Sequence, residues 1–285
     1  MWGSEVIDRE IAGLVDRSVA EDGLVVVLTG AGVSAESGIP TFRGPEGYWT
    51  VGSAVHTPQE IATAAMFARA PEAVWGWYLF RLGVVREAEP NAAHRAIAEL
   101  DATLSDRFVL ITQNVDGLHQ RAGSTPGRTY EIHGSLGRMR CSEPCQRELL
   151  PLPDEIPAKD RDEALTDHER QLLTCPRCGA WTRPHVLWFD EAYDEAWFRL
   201  DSSLDAAGRA SLVVTVGTSG ATNLPNLVVQ QVVRSGGALL DVNPEDNPFG
   251  DLARRVERGA AIRAPASQAV PELADRIAVA ASAPR

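Results

Sequence analysis

Short apolar runs recur along the chain and alternate with segments of helical periodicity. The apolar runs lie at 24–28, 108–111, 212–216, 238–242 and, more weakly, 260–262. A run that is apolar at every position is typical of a strand buried on both faces, as in a parallel sheet. The helical patterns lie at 5–20, 91–102, 223–235 and 268–281. This alternation predicts an α/β fold with a Rossmann-like, doubly wound parallel sheet.

Two regions interrupt the alternation. Residues 44–87 carry no strand signal and are predicted to form a loop followed by helices, and residues 138–183 contain all four cysteines. We therefore predict a large dinucleotide-binding domain and a small, discontinuous domain made of a helical insert and a metal-binding insert. The large domain would comprise 1–43, 88–137 and 184–285, and the small domain 44–87 and 138–183.

A glycine-rich turn follows the first apolar run. Gly30, Gly32 and Ala35 fit the G-x-G-x-x-G/A spacing, in which glycines permit a tight turn and a close approach to a pyrophosphate at a helix N-terminus. The alternative is that these glycines serve only the packing of the turn. Pro40 and Pro45 forbid a regular helix beyond it, so we predict an irregular lid over the dinucleotide. Such a lid suits chemistry at the nicotinamide ribose better than hydride transfer.

The four cysteines form two close pairs. Cys141 and Cys145 are separated by three residues, and Cys175 and Cys178 by two. Two such pairs are typical of a closed, tetrahedral structural zinc site. The alternatives are four buried thiols, or a zinc ribbon that binds nucleic acid.

Charge and hydropathy limit the partners. The net charge of −12 argues against a phosphate-backbone partner and is compatible with basic partners such as lysine-bearing segments. The N-terminus lacks the pattern of a signal peptide, and no apolar run reaches the length of a membrane span. We expect a cytoplasmic, monomeric protein that binds neither nucleic acid nor a membrane.

Six segments together resemble one family, the sirtuins, which are NAD-dependent protein lysine deacylases. They are GAGVSAESGIPTFRG (30–44), TQNVDGLHQRAG (112–123), EIHGSL (131–136), RPHVLWFDE (183–191), VGTS (216–219) and VNPE (242–245). With the cysteines they cover nearly the whole chain in family order. The resemblance implies NAD as co-substrate, a structural Zn²⁺ and acylated lysine side chains of proteins as partners.

The resemblance also implies roles for individual residues. The turn and the segment at 113–116 would hold NAD, with Asn114 and Asp116 as the polar groups nearest the reaction. The residues expected to bind NAD are Gly30, Ala31, Gly32, Ser34, Thr41, Phe42, Arg43, Gln113, Asn114, Asp116, Gly217, Thr218, Ser219, Asn243 and Ala266.

His133 matches the family's catalytic base. A histidine accepts a proton near neutral pH, and this one follows a predicted strand and precedes Gly134. The other histidines are expected to be structural or to lie on the surface; His94 falls at a predicted helix start, and His119 and His185 lie in matched segments. The implied reaction releases nicotinamide and O-acyl-ADP-ribose.

One segment resembles the class of sirtuins that prefers succinyl and malonyl lysine. Ala62 is small, and Tyr78 and Arg81 are three residues apart, so on a helix they share a face. An arginine fork and a tyrosine hydroxyl can bind a carboxylate together. The alternative is a core tyrosine and a solvated arginine.

We further expect Val186, Trp188 and Phe189 to line the edge along which the substrate peptide lies.

The chain departs from the family pattern in two places. Asp190 stands where most members have glycine, and residues 219–225 differ from the usual apolar continuation. Both places lie where substrate is recognised. An NAD-consuming ADP-ribosyltransferase or NAD hydrolase is therefore the alternative enzyme, and a non-catalytic NAD sensor or zinc-scaffolded interaction protein is the alternative from another class.

Overall fold

The computed structural model describes residues 7–41 and 57–283. The strands are β1 (Leu24–Thr29), β2 (Phe108–Thr112), β3 (Thr129–Glu131), β4 (Gly134–Cys141), β5 (Leu150–Pro151), β6 (Thr182–Val186), β7 (Ala210–Val216), β8 (Ala238–Val242) and β9 (Gly259–Ile262).

The helices are α1 (Arg9–Ala20), α2 (Pro58–Ile61), α3 (Ala64–Arg69), α4 (Pro71–Glu87), α5 (Ala92–Leu104), α6 (Leu118–Arg121), α7 (Asp167–Leu172), α8 (Glu195–Phe198), α9 (Leu200–Gly208), α10 (Asn223–Arg234), α11 (Pro248–Ala253) and α12 (Ala266–Ser282). Short 3₁₀ helices lie at Ala31–Val33, Ala35–Ser37, Ser105–Arg107 and Pro126–Arg128.

The larger sheet has six strands in the order β3-β2-β1-β7-β8-β9, and all neighbouring strands are parallel. The chain builds one half outward from β1 through β2 to β3, and later returns to build the other half from β7. Strand order therefore reverses between β1 and β7. In open parallel sheets, ligands bind beyond the carboxyl ends of the strands at such a switch point. The predicted doubly wound fold is confirmed.

Alternate residues of β1 enter two different cores. Val25 and Val27 pack with α1, α5 and α12 on one face of the sheet. Val26 and Leu28 pack with α9 and α10 on the other face. Because both faces are covered, every residue of β1 is buried, which explains its unbroken apolar sequence.

A smaller antiparallel sheet, in the order β5-β4-β6, belongs to the cysteine-containing region. Helix α4 packs near it, and the Trp75 indole N–H donates to the Thr182 carbonyl at 2.7 Å. Nine of the residues of α4 are buried, Tyr78 and Arg81 among them. A helix that is buried on most sides lies within a core rather than on its surface.

The two sheets are joined directly behind His133. Gly134 begins β4 with φ of +85°, and a Cβ atom on it would lie 2.0 Å from the His185 carbonyl oxygen. Only glycine fits this left-handed, crowded position. The turn at Gly134 therefore leaves the His133 side chain at the joint between the parallel and antiparallel sheets.

The predicted domain boundaries at 137/138 and 183/184 fall inside β4 and β6. These two strands thus connect the regions we assigned to the large and small domains, and the division itself stays a prediction. Among the helices of the described ranges, none has the length and apolar character needed to cross a membrane.

Candidate active site

Polar and glycine residues follow the carboxyl ends of neighbouring parallel strands. Gly30 follows β1, Gln113 follows β2, Gly217 follows β7 and Asn243 follows β8. His133 lies two residues beyond β3. All five therefore meet at one edge of the sheet, around the switch point between β1 and β7.

The glycine turn packs against the turn after β7. The Gly32 amide donates to the Gly217 carbonyl at 2.8 Å. A Cβ atom on Gly32 would lie 2.7 Å from Gly217 Cα, and one on Gly217, which has φ of +57°, would lie 2.5 Å from the Gly32 carbonyl carbon. The glycines therefore serve a close contact between two backbones, and they also leave the edge free of side chains. The chain continues as two 3₁₀ helices, so the expected regular helix N-terminus is absent from residues 31–37.

Four side chains form a buried cluster beneath this turn, which we call the Ser34 cluster: Ser34, His94, Asn114 and Asp116. The Ser34 hydroxyl donates to Asp116 Oδ2 at 2.8 Å and accepts from Asn114 Nδ2 at 2.9 Å. Its oxygen lies 3.3 Å from His94 Nε2. Three chain segments thus meet at one hydroxyl, which fixes the positions of the predicted polar residues Asn114 and Asp116.

The ionisation of the cluster is set by its burial. Burial lowers the pKa of His94 to about 4, so its ring is neutral at pH 7. The Asn91 amide donates to His94 Nδ1 at 3.3 Å, which leaves the proton on Nε2, facing Ser34. Burial raises the pKa of Asp116, although hydrogen bonds from the Leu118 amide and Ser34 oppose the rise. Sequence reasoning treated His94 as packed at a helix start and missed its contact with Ser34.

Gln113 connects three strand ends. Its side-chain amide donates to the Thr29 carbonyl at 3.2 Å and to the Thr218 hydroxyl at 2.8 Å. Its side-chain oxygen accepts from the Thr222 hydroxyl at 3.0 Å. The residue predicted to bind NAD therefore also holds the ends of β1, β2 and β7 together.

His133 lies on the other side of Gln113. Its Nδ1 is 3.0 Å from the Gln113 carbonyl oxygen, and its Nε2 is 2.8 Å from the Tyr193 hydroxyl. A carbonyl only accepts hydrogen bonds, so Nδ1 carries the proton and Nε2 keeps its lone pair. Burial lowers the pKa of His133 to about 4, and the Gln113 hydrogen bond opposes the shift only in part. The ring is therefore a neutral base at pH 7, as its predicted role requires.

The residues predicted around the adenosine lie further along the same edge. The Asn243 side chain donates to the Thr218 carbonyl at 3.1 Å, and Ser219 is exposed. Ala31 and Thr41 are half-buried, while Ala266 begins α12 and is buried in the core beside β1. Phe42 and Arg43, the predicted lid residues, lie outside the described residues.

The four cysteine sulfurs converge. Cys145 Sγ is 3.3 Å from Cys141 Sγ and 3.7 Å from Cys175 Sγ, and Cys141 Sγ is 3.5 Å from Cys178 Sγ. All four sulfurs lie within 4.8 Å of one another. A tetrahedral zinc with Zn–S bonds of about 2.3 Å requires sulfurs about 3.8 Å apart, so the geometry fits the predicted site. Burial opposes ionisation of the Cys175 thiol, but hydrogen bonds from the Arg177 and Cys178 amides and from the neighbouring thiols together lower its pKa, which favours the thiolate that binds metal.

Four of the predicted substrate-binding residues share one core of the small sheet. Ala62, Tyr78, Val186 and Trp188 are all buried in it. The Trp188 indole N–H donates to the Tyr78 hydroxyl oxygen at 2.9 Å, which leaves the tyrosine proton for another acceptor. Arg81 is 5% exposed, with its guanidinium 4.2 Å from the Trp77 ring centre. The alternative of a solvated arginine is therefore wrong, whereas Phe189 is 51% exposed.

Asp190 has a structural explanation. Its two carboxylate oxygens accept from the Ala64 amide at 2.8 Å and the Ala65 amide at 3.1 Å. A carboxylate is favourable at the N-terminus of a helix, here α3. Asp190 therefore ties the segment after β6 to the helical insert, and this contact offers no reason for a changed reaction.

Tyr193 and Thr222 were not singled out by the sequence. Both lie in or beside the segments that depart from the family pattern, yet neither has a local spacing that predicts contact with His133 or Gln113. Their contacts can be identified only in the folded structure, where residues from four segments come together.

Comparison with known proteins agrees with this geometry. A model of the Sir2 family matches residues 30–223. A protein of Aeropyrum pernix named NAD-dependent protein deacylase is 40% identical over 83% of this chain and 87% of its own length. One of the same name from Thermus thermophilus is 41% identical over 84% of this chain and 86% of its own length.

Solved structures are similar over nearly the whole length. A Sir2 homologue in complex with NAD has a TM-score of 0.77 and 35% identity, covering 98% of this chain and 97% of its own. A mutant Sir2 homologue in complex with ADP-ribose has a TM-score of 0.77 and 34% identity, covering 96% and 97%. The doubly wound sheet, its glycine turn and the four-cysteine cluster, together with these similarities, place the chain among NAD-dependent enzymes with a cysteine cluster suited to structural zinc. Within that class, the chain belongs to the Sir2 family.

Proposed function

We propose that this chain is an NAD-dependent protein lysine deacylase that transfers the acyl group to ADP-ribose and releases nicotinamide. The observation that carries the proposal is the His133 ring, whose lone pair is held on Nε2 by the Gln113 carbonyl, at the edge of the sheet that also bears the glycine turn. The names of the relatives and the NAD-bound structural neighbour support the same reaction.

The residues at the sheet edge fit NAD. The bare backbone at Gly30, Gly32 and Gly217 permits the close approach of a pyrophosphate. The segment 113–116 would face the nicotinamide and its ribose. When bound, NAD supplies an anomeric carbon that the acyl carbonyl oxygen of the lysine can attack as nicotinamide leaves.

His133 would then act as a general base. Its Nε2 would take a proton from a ribose hydroxyl of bound NAD, which would prepare that oxygen to attack the acyl carbon. Its Nδ1–H remains on the Gln113 carbonyl throughout. Water completes the release of the free lysine and O-acyl-ADP-ribose.

Asn114 and Asp116 would orient the reacting groups. Each is held by Ser34, so neither side chain is free to rotate away from the edge. Exact placement of reacting groups contributes strongly to rate, since small misplacements cost large factors. We assign Asn114 and Asp116 to the positioning of nicotinamide and its ribose.

Tyr78 and Arg81 support a preference for acyl groups that end in a carboxylate. They are buried and three residues apart on α4, and Tyr78 shares one apolar core with the small side chain of Ala62. The Tyr78 hydroxyl has its oxygen occupied by Trp188 and its proton available to an acceptor. Together with the Arg81 guanidinium it suits a succinyl or malonyl carboxylate.

The test compares three peptides. The purified protein is incubated with NAD and peptides that carry acetyl-, succinyl- or malonyl-lysine, and nicotinamide and peptide masses are followed. Acyl loss matched mole for mole by nicotinamide supports the proposal. Nicotinamide without acyl loss identifies an ADP-ribosyltransferase or NAD hydrolase instead.

Arg81→Met tests the acyl preference. We expect succinyl removal to fall by about a hundredfold, because a charged hydrogen-bonded pair is lost, and acetyl removal to change by less than about threefold. Arg86→Met is the matched control, since Arg86 lies on the same helix and donates to the Ile156 carbonyl. Equal losses with both peptides would reject the carboxylate-binding role and leave the deacylase reaction intact.

A further inference from the structure

The hydroxyl of Tyr193 meets the base directly. Tyr193 Oη lies 2.8 Å from His133 Nε2, and the two rings are 5.8 Å apart at 32°. Because the proton of His133 is on Nδ1, Nε2 can only accept. Tyr193 therefore donates its hydroxyl proton to the lone pair that the reaction uses.

The Tyr193 hydroxyl remains protonated at neutral pH. Burial raises the pKa of Tyr193 to about 12, although a hydrogen bond with the Thr222 side chain opposes the rise. The contact between Tyr193 and His133 is consequently one between two neutral groups at pH 7. In the described part of the chain, the hydrogen-bond partners of His133 are Gln113 and Tyr193, and neither is a carboxylate.

The contact extends into a chain of hydrogen bonds. Thr222, which lies within hydrogen-bonding reach of Tyr193, donates its hydroxyl proton to Gln113 Oε1 at 3.0 Å. While the Tyr193 proton is on His133 Nε2, the Thr222 oxygen faces Tyr193 Oη with lone pairs that can accept from it in another state. The contacts begin on the Gln113 side chain and end on the ring whose Nδ1 donates to the Gln113 carbonyl, so they form a closed loop of contacts. While His133 is neutral, the link between Tyr193 and Thr222 in this loop carries no proton.

This loop can serve both protonation states of the base. While His133 is neutral, the Tyr193 hydroxyl donates to Nε2. Once His133 is an imidazolium, its Nε2–H donates to Tyr193 Oη, and the tyrosine proton turns to the Thr222 oxygen. No proton leaves the loop, and every donor finds an acceptor in each state.

We propose that Tyr193, supported by Thr222, is a positioning residue that holds His133 Nε2 at the carboxyl edge of the large sheet. After ribose deprotonation, Tyr193 Oη accepts a hydrogen bond from the Nε2–H of the imidazolium. The inference rests on the deacylase function proposed above. Tyr193 acts through His133 and has no bond-making role of its own. The ribose hydroxyl displaces the tyrosine hydroxyl from Nε2 when it binds, and the tyrosine returns when the imidazolium forms.

The first test separates the two halves of the reaction. Nicotinamide exchange into NAD, measured with acyl peptide present, reports the step before the base acts, whereas O-acyl-ADP-ribose formation requires the base. For Tyr193→Phe, which keeps the ring and removes the hydroxyl, we expect product formation to fall by about tenfold or more, within the range of general-base effects. Exchange should stay within about twofold of the wild type, since bound geometry before proton transfer is retained.

Companion variants isolate the hydroxyl chain. Thr222→Val should reduce product formation by about threefold to tenfold, and Thr222→Ser should restore it, because serine keeps the hydroxyl. Tyr130→Phe is the matched control, as Tyr130 lies on β3 with its ring beside Arg199. A fall in exchange and product formation by the same factor for Tyr193→Phe, or no fall in either, would overturn the proposal.

A spectroscopic test needs no turnover. In the free protein with ¹⁵N-labelled histidine, we expect protonated Nδ1 and unprotonated Nε2 for His133, and a shift of the Nε2 signal in Tyr193→Phe while the His185 signals stay unchanged. A proton on Nε2, or an unchanged Nε2 signal in the variant, would overturn the assignment. Absence of both exchange and deacylation in the wild type would reject the proposed function, and the Nε2 signal would still decide whether Tyr193 positions His133.

Discussion

At the scale of single residues, the site depends on groups kept neutral by burial. His133 has a pKa lowered to about 4, and His94 likewise. A buried imidazole is neutral because the charged form loses the stabilisation of water. The base is therefore ready to accept a proton at pH values where an exposed histidine is already half protonated.

The pH profile of kcat/KM should reflect this shift. His133 acts as a base only when neutral, so its contribution to activity should remain nearly constant from pH 8 down to about 5 and be lost as the pH approaches 4. Burial raises the pKa of Glu131 to about 7, which can add a separate limb. The profile is therefore measured in the wild type and in Glu131→Gln. A limb at pH 6.5 that persists in Glu131→Gln would contradict a lowered pKa for His133.

Ser34→Ala should disable the cluster beneath the glycine turn. The change leaves the Asn114 amide and the Asp116 carboxylate without their common partner, and we expect unfolding free energy to fall by about 1–3 kcal/mol. Misplaced polar groups should lower kcat/KM by on the order of a hundredfold. Ser211→Ala is the control, because Ser211 is also buried but lies at the opposite end of the sheet, where its hydroxyl donates to the Leu24 carbonyl at 3.5 Å. Equal activity in the two variants would argue against the cluster's role.

At the scale of elements, two turns and one metal-binding loop decide where the side chains lie. The turns after β1 and β7 touch backbone to backbone, which requires glycine at both positions. The zinc site joins β4 to the loop that precedes β6, and β4 begins directly after His133. Damage to either element should therefore reach the site without any change in its polar residues.

Gly32→Ala should disturb the contact between the turns. The new Cβ would lie 2.7 Å from both Gly217 Cα and the Gly217 carbonyl oxygen, so a backbone has to move. We expect a loss of about 1–3 kcal/mol in the free energy of unfolding and weaker NAD binding by calorimetry. Gly127→Ala, where a Cβ meets nothing within 4 Å, should leave both unchanged. An unaltered affinity for NAD in Gly32→Ala would contradict the close-approach role.

Removal of zinc should unfold the small sheet. Four thiolates within 4.8 Å of one another repel each other and rely on the metal for their arrangement. Elemental analysis should find one zinc ion for each chain, and chelation should lower the melting temperature and abolish deacylation. Added zinc should restore both. A chelated protein that retains its melting temperature would show that the cysteines hold their positions without metal.

At the scale of the whole molecule, nearly all positive side chains are arginines. Lys159 is the only lysine in the chain, and it is buried between Glu163 and Glu169, with each N–O distance 2.9 Å. These carboxylates raise the pKa of Lys159 despite the opposing effect of burial. The single lysine therefore forms a buried ion pair between the segment after β5 and α7 and is not exposed at the surface.

Lys159→Met should destabilise the fold. It leaves the Glu169 carboxylate, whose side chain is 5% exposed, without its ammonium partner, and breaking such a pair typically costs about 3–5 kcal/mol. Chemical denaturation is the measurement. The double variant Lys159→Met with Glu169→Gln should recover part of the loss, because no unpaired buried charge remains. A single variant as stable as the wild type would mean that Glu169 is hydrated or protonated instead.

The extent of prediction differs between the two sheets. The central strands were recognised because their burial on both faces leaves an unbroken apolar run, and β1, β2, β7 and β8 lie within two residues of the predicted positions. Strands β4 and β6 were missed. Their sequences, GSLGRMRC and TRPHV, carry arginines that pair or stack only after folding, as Arg183 does with Glu191 and Trp188.

The sequence by itself determined the fold class, the zinc ligands and the candidate base, because each is encoded by local spacing or by a short segment of fixed order. Tertiary structure alone decided what surrounds them. Tyr193 is 60 residues from His133, Thr222 is 109 from Gln113, and Asp190 is 126 from the amide of Ala64 that it caps. Hydrogen bonds between residues so far apart in sequence depend on how the elements pack. This packing leaves no repeating pattern in the sequence, so such contacts cannot be predicted from it.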